Sequence, residues 1–136
     1  MRAVIADDEG LYGAGLAALL EERGHEVVGH ARDGFEALEQ VRRLRPDLVL
    51  LDTSMPRCSG LEAARLIKAE LSDVKIVLVA ASRECGELLE TLESGIAGYV
   101  LKDRPEEELT RVLDALAGGS SEVSFASPVR KEERCR

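Results

Sequence analysis

Unbroken apolar runs alternate along this chain with segments of helical spacing. Ala3-Val4-Ile5-Ala6, Val27-Val28, Leu48-Val49-Leu50-Leu51, Ile76-Val77-Leu78-Val79 and Tyr99-Val100-Leu101 are short continuous stretches, the pattern of strands covered on both faces. Between them, apolar residues recur every three or four positions: Leu16, Leu19, Leu20; Phe35, Leu38, Val41; Leu61, Ala64, Ile67, Leu71; Leu88, Leu89, Leu92; and Leu109, Val112, Leu113, Leu116. The alternation predicts five strands and five helices. Boundary residues agree with it. Gly24 follows the first helix, Asp33-Gly34 opens the second, Pro46 stops it, and Gly95 ends the fourth. Asp103 with Glu106 makes a capping-box pattern, with Pro105 in the first turn of the fifth helix.

A repeating strand–helix order implies right-handed crossovers, and therefore a parallel sheet with helices on both faces. The expected architecture is a doubly wound α/β sandwich. In such sheets ligands bind outside the carboxyl ends of the strands, near the point where strand order reverses. Those ends carry Asp7-Asp8, Asp52, Ala80-Ala81-Ser82 and Lys102, so one edge would gather three carboxylates and an ammonium. Hard oxygen ligands suit a divalent cation, and a lysine neutralises charge on phosphoryl oxygens.

Composition narrows the classes. The 136 residues are 45% hydrophobic, enough for one domain with a core that needs no staples. That core must be aliphatic, because there is no Trp and only Tyr12, Tyr99, Phe35 and Phe125 are aromatic. Cys58, Cys85 and Cys135 are an odd number at spacings that fit neither a zinc site nor a disulfide framework, which points to a reducing cytoplasm. Met1-Arg2 leads straight into a strand-like run with no secretory signal, and no apolar stretch has the length of a membrane span. The formal charge of −8 argues against this domain itself gripping nucleic acid.

Three motifs, in order and in register, carry a resemblance: Asp7-Asp8-Glu9; Leu51-Asp52-Thr53-Ser54-Met55-Pro56 followed by Gly60; and Gly98-Tyr99-Val100-Leu101-Lys102-Asp103. They resemble the receiver domain of two-component response regulators, over about residues 2–117. The resemblance implies a flavodoxin-like five-stranded sheet of order 2-1-3-4-5, and a phosphoprotein that a sensor histidine kinase phosphorylates on Asp52. It implies Mg²⁺ (or Mn²⁺) held by Asp8, Asp52 and the backbone carbonyl of Ser54, with Asp7 acting through a water. Lys102 would bind the phosphoryl group. Such a domain is a signalling phosphoacceptor rather than an enzyme, limited to self-catalysed phosphotransfer and autodephosphorylation. Ser54 and Ser82 fall where the family tunes hydrolysis of the acyl phosphate, and their small hydroxyl side chains predict a short phosphorylated lifetime.

One position departs from the family. The Thr or Ser usual at the end of strand four is Ala80, which has no hydroxyl to bond a phosphoryl oxygen. Its aromatic partner in the family's switch is present as Tyr99. The expectation is a domain that accepts phosphate yet responds less sharply. A rival keeps the fold as a phosphorylation-independent docking module, with Ala80 as the trace of lost switching. An aspartyl-phosphate hydrolase of the dehalogenase kind would need a second Asp where Ser54 stands. A flavin carrier would not present an acidic first loop.

The remaining residues have plainer readings. Asp33, Asp47, Asp73 and Asp103 read as caps and turns, and His25 and His30 as surface residues flanking strand two. Cys58, in the loop beyond Asp52, has no obvious activating cation. Residues 1–117 are expected to form the receiver domain, and 118–136 a flexible tail or linker. Gly118-Gly119 and Ser127-Pro128 resemble the start of the linker to a helix-turn-helix effector in the regulators related to nitrate and quorum-sensing activators. Either the protein is a stand-alone receiver that acts by contact, or it is the receiver portion of a longer transcription factor, and DNA would be met only through an effector domain. The family also implies a homodimer through helix four, strand five and helix five, around Leu88, Tyr99 and Leu109, or through helices one and five.

Overall fold

Successive residues of a strand face opposite ways, so an unbroken apolar run feeds two cores at once. The computed structural model, which describes residues 1–80, 96–102 and 105–117, has this arrangement. The strands are β1 (Arg2–Ala6), β2 (Glu26–Ala31), β3 (Leu48–Asp52), β4 (Lys75–Ala80) and β5 (Gly98–Leu101). They form one sheet of order β2-β1-β3-β4-β5, every pairing parallel. The helices among the described residues are α1 (Gly10–Glu22), α2 (Gly34–Leu44), α3 (Gly60–Glu70) and α4 (Pro105–Ala117), the last being the fifth of the sequence pattern.

The two cores sort cleanly. Val4, Val49, Leu51, Ile76, Leu78 and Tyr99 face α2 and α3, where they meet Leu38, Val41, Ala64 and Ile67. Ala3, Ile5, Leu48, Leu50, Val77 and Val100 face α1 and α4, against Leu16, Leu20, Leu109 and Val112. The predicted sheet order and flavodoxin-like architecture are therefore present.

Capping explains where the helices start. Asp33 accepts the Glu36 N–H at 2.9 Å to open α2, and Ser59 accepts the Glu62 N–H at 3.2 Å to open α3. Gly24, just past α1, has φ of 85°, a left-handed conformation that suits glycine. Glu9, the residue before α1, makes no side-chain cap; its carboxylate is engaged elsewhere.

Some expectations need correcting. β2 runs to Ala31 rather than stopping at Val28, and His30 lies within it. As an edge strand it is only half covered, so Glu26, Gly29 and His30 interrupt the apolar run without ending the strand. Phe35, placed on the core stripe of α2, is 57% exposed, and Ala37 takes the buried position with Leu38 and Val41. Gly60 is the first residue of α3 and not merely part of the loop. A Cβ there would lie 2.1 Å from the Asp52 carbonyl oxygen, so the helix can start this close to β3 only without a side chain. The predicted fourth helix, Gly95, Ser82, Asp103, Cys85, Cys135 and the 118–136 tail lie outside the described residues.

Candidate functional site

Because β1, β3 and β5 run parallel, their carboxyl ends share one edge of the sheet. Asp52 closes β3 and is 2% exposed. Its Oδ1 accepts the Ser54 N–H at 3.0 Å, and its Oδ2 accepts from Lys102 Nζ at 2.8 Å. Lys102 follows β5 directly, its own N–H donating to the Ala80 carbonyl at 2.8 Å. Since β4 lies between β3 and β5, the two side chains and the bond between them bridge two strand spacings, about 10 Å.

The same ammonium donates to Glu9 Oε1 at 2.8 Å and sits 4.9 Å from the centre of the Tyr12 ring. Partial burial alone would lower the Lys102 pKa. The hydrogen bonds to Asp52 and Glu9 and the charges of Asp52 and Asp7 outweigh burial and hold it well above the usual lysine range. The ammonium is therefore charged at any physiological pH. Burial pushes the Tyr12 phenol up to about 12.

Asp7 follows β1, its N–H donating to the Ala31 carbonyl of β2 at 2.9 Å. It is 8% exposed. Oδ1 accepts the Glu9 N–H at 2.7 Å, while Oδ2 is buried without a hydrogen-bond partner. Burial pushes the Asp7 carboxyl up to about 6; the Glu9 N–H and Lys102 oppose the rise and the Asp52 charge adds to it. Asp8 and Glu9 are exposed, and the bond to Lys102 holds the Glu9 carboxyl low.

Asp7, Asp8, Glu9 and Asp52 each offer a carboxylate oxygen, all within 4.8 Å of one another. A divalent cation fits this donor set on two counts. All the donors are hard oxygens, and the buried, unpartnered Oδ2 of Asp7 is an acceptor that burial penalises until something positive meets it.

The structure thus brings together Asp7, Asp8, Asp52 and Lys102, with Ser54 joined through its N–H. Ala80 and Tyr99 lie in the core on the α2/α3 side, Tyr99 at 3% exposure. Sequence reasoning gave no role to Glu9, Tyr12 or Glu108. Glu9 and Tyr12 are three residues apart at the start of a helix and so share a face, which could have placed both beside the same partner. Glu108 is buried, and its Oε1 accepts the Leu101 N–H at 2.6 Å, tying α4 to the strand that delivers Lys102.

The model of the response regulator receiver domain matches residues 3–114. The chain belongs to that family. This receiver is 34% identical over 120 residues to the transcriptional regulatory protein LnrK of Bacillus subtilis, covering 88% of the chain and 54% of LnrK. It is 37% identical over 127 residues to the oxygen regulatory protein NreC of Staphylococcus epidermidis, covering 92% and 58%. It therefore spans little more than half the length of these curated relatives. Among solved structures it is similar to the receiver domain of the response regulator NarL from Mycobacterium tuberculosis, with 32% identity, TM-score 0.79, and coverage of 88% of this chain and 97% of that one. A LuxR-family response regulator from Aurantimonas gives 30% identity, TM-score 0.85, and coverage of 98% and 94%. Receivers of this family bind Mg²⁺ at an acidic pocket, and the two curated relatives are named as a transcriptional and an oxygen regulatory protein. Among the described residues no helix of this receiver is long and apolar enough to cross a membrane.

Proposed function

We propose that Asp52 is the phosphoacceptor, taking a phosphoryl group from the phosphohistidine of a sensor histidine kinase. The observation that carries the reading is the pairing of the 2%-exposed Asp52 carboxylate with Lys102 at 2.8 Å beside the unpartnered Oδ2 of Asp7. An Asp52 oxygen forms the new P–O bond as the P–N bond to the donor histidine breaks. Lys102 exchanges its contact with Asp52 for a phosphoryl oxygen and stays positive throughout, while Glu9 keeps its ammonium at the pocket mouth. Asp8, Asp52 and the Ser54 carbonyl would hold Mg²⁺ (or Mn²⁺), with Asp7 acting through a water. The cation supplies neutralisation of charge on the transferring oxygens.

Ser54 and Ser82 tune hydrolysis of the acyl phosphate and leave it short-lived. The protein is a cytoplasmic signalling phosphoacceptor with no further catalysis. Residues 1–117 are the receiver and 118–136 a tail or linker, and DNA is met only through an effector domain. Dimerisation uses either the predicted fourth helix with β5 and α4, or α1 with α4; Tyr99 and Leu109, expected at the centre of the first face, are instead buried on opposite sides of the sheet.

Incubation with a small phosphodonor and Mg²⁺, followed by intact-mass analysis, tests the assignment. One phosphate is expected, lost in Asp52→Asn; a phosphate that persists in that variant, or none in the wild type, overturns it. A second reading, the phosphorylation-independent docking module, is favoured by Ala80 beside an already buried Tyr99. Beryllofluoride with Mg²⁺ separates the two, since that module would not respond to it.

A further inference from the structure

The turn between β2 and α2 touches both acidic segments of the site. Ala31 receives the Asp7 N–H, and Asp33 and Gly34 grip the loop that leads away from Asp52. The Gly34 N–H donates to the Cys58 carbonyl at 2.8 Å. No side chain fits at this position, because a Cβ would lie 2.5 Å from Cys58 Sγ and 2.6 Å from Cys58 O. Arg57 Nε donates to Asp33 Oδ2 at 3.0 Å, and a second guanidinium nitrogen closes on the same oxygen. The other Asp33 oxygen caps α2 through the Glu36 N–H. The carboxylate is therefore buried and held from two sides.

The Asp52 side of the loop is held too, by the Ser54 N–H on Asp52 Oδ1, and the loop ends at Gly60, so close to β3 that a Cβ there would meet the Asp52 carbonyl. Between these anchors Arg57 adopts φ of 65°, in the left-handed region that residues with a Cβ disfavour. Such a conformation persists only where surrounding contacts impose it. A guanidinium fork on a fixed carboxylate is a contact of that kind.

We propose that the Asp33–Arg57 pair is a positioning strap: it holds the β3–α3 loop in the shape in which Asp52 and the Ser54 carbonyl take a divalent cation together. Its loss weakens Mg²⁺ binding although neither residue touches the ion. The inference rests on the metal reading given under Proposed function. Charge and geometry predict opposite signs here. Removing the positive Arg57 would by charge alone strengthen attraction for Mg²⁺, whereas loosening the loop weakens it.

Calorimetric titration of Mg²⁺ into the purified chain, at constant ionic strength, reads the sign. Arg57→Ala is expected to raise Kd about threefold to tenfold. That falls below the roughly 10–100-fold typical of groups that bond a metal ligand's side chain directly, because the strap acts through backbone. Arg57→Lys keeps the charge without the fork and should raise Kd by a smaller factor. Asp33→Asn keeps the helix cap yet should weaken binding, and the double variant should be no worse than the weaker-binding single. In metal-free protein, amide hydrogen exchange across residues 53–59 should speed up in Arg57→Ala. Should that variant unfold, Arg57→Lys carries the test. Binding by Arg57→Ala, or by Arg57→Lys in its place, as tight as wild type overturns the strap alone. Failure of the wild type to bind Mg²⁺, or unweakened binding by Asp8→Asn, overturns the metal reading and the strap with it.

Discussion

Replacing Asp7 by Asn should stabilise the metal-free protein. In the folded state the Asp7 carboxyl stands at about 6 instead of its ordinary 3.8, chiefly through burial. Folding therefore favours the protonated form, and ionisation opposes folding. The sign follows by linkage: below about pH 4 there is no penalty, it grows as pH rises toward 6, and above that it is full. At about 1.4 kcal/mol per tenfold change in proton affinity the ceiling is about 3 kcal/mol, and solvent reaching the pocket mouth brings the expected value to about 1–3 kcal/mol. Asn keeps the oxygen that accepts the Glu9 N–H and gives the neighbouring Asp52 a donor in place of a charge. For a chain of this length, about 3 °C per kcal/mol puts the gain at about 3–9 °C. Thermal melts by circular dichroism, in EDTA and across pH, measure it. The gain should shrink as pH falls toward 4. Added Mg²⁺ should shrink the gain, because wild type alone keeps the full ligand set; at 100 times Kd, bound metal contributes about 2.7 kcal/mol. If Asp7→Asn melts at or below wild type in EDTA above about pH 7, the reasoning from burial is wrong.

Three further outcomes are expected. Gly60→Ala forces a Cβ against the Asp52 carbonyl at 2.1 Å and should cost about 1–3 kcal/mol in urea unfolding, with a lower phosphorylation rate because β3 and α3 must part. Lys102→Met leaves the Asp52 charge buried without its counterion and should cost about 3 kcal/mol in metal-free protein, a loss that Mg²⁺ partly restores in the same melt. Ala80→Thr puts a hydroxyl at the end of β4 and should enlarge the beryllofluoride-induced change in amide NMR shifts; an unaltered response would remove Ala80 as the cause of weak switching.

The sequence displayed the interior strands clearly. Leu48–Leu51 and Ile76–Val79 are apolar at every position because both faces are covered, and β3 and β4 exceed those runs by no more than a residue at either end. β2 was harder to delimit, since an edge strand tolerates Glu26 and His30. Phe35 misled because periodicity gives the face of a helix but not which residues at its first turn reach the core. The acidic residues and Lys102 could be placed from topology alone, because strand ends in a parallel sheet share an edge. The Glu9–Lys102 bond, the Tyr12 ring under the ammonium and the Arg57–Asp33 fork could not. Each depends on side-chain reach between residues up to 93 positions apart; the spacing of Glu9 and Tyr12 puts the two on one face but does not name the partner.

Lys102 arrives from the last strand of the sheet and meets partners 50 and 93 positions earlier in the chain. A partly made polypeptide, lacking β5, would hold Asp52 and Glu9 without the ammonium that pairs with both. The charge of the pocket is thus balanced late, when β5 docks.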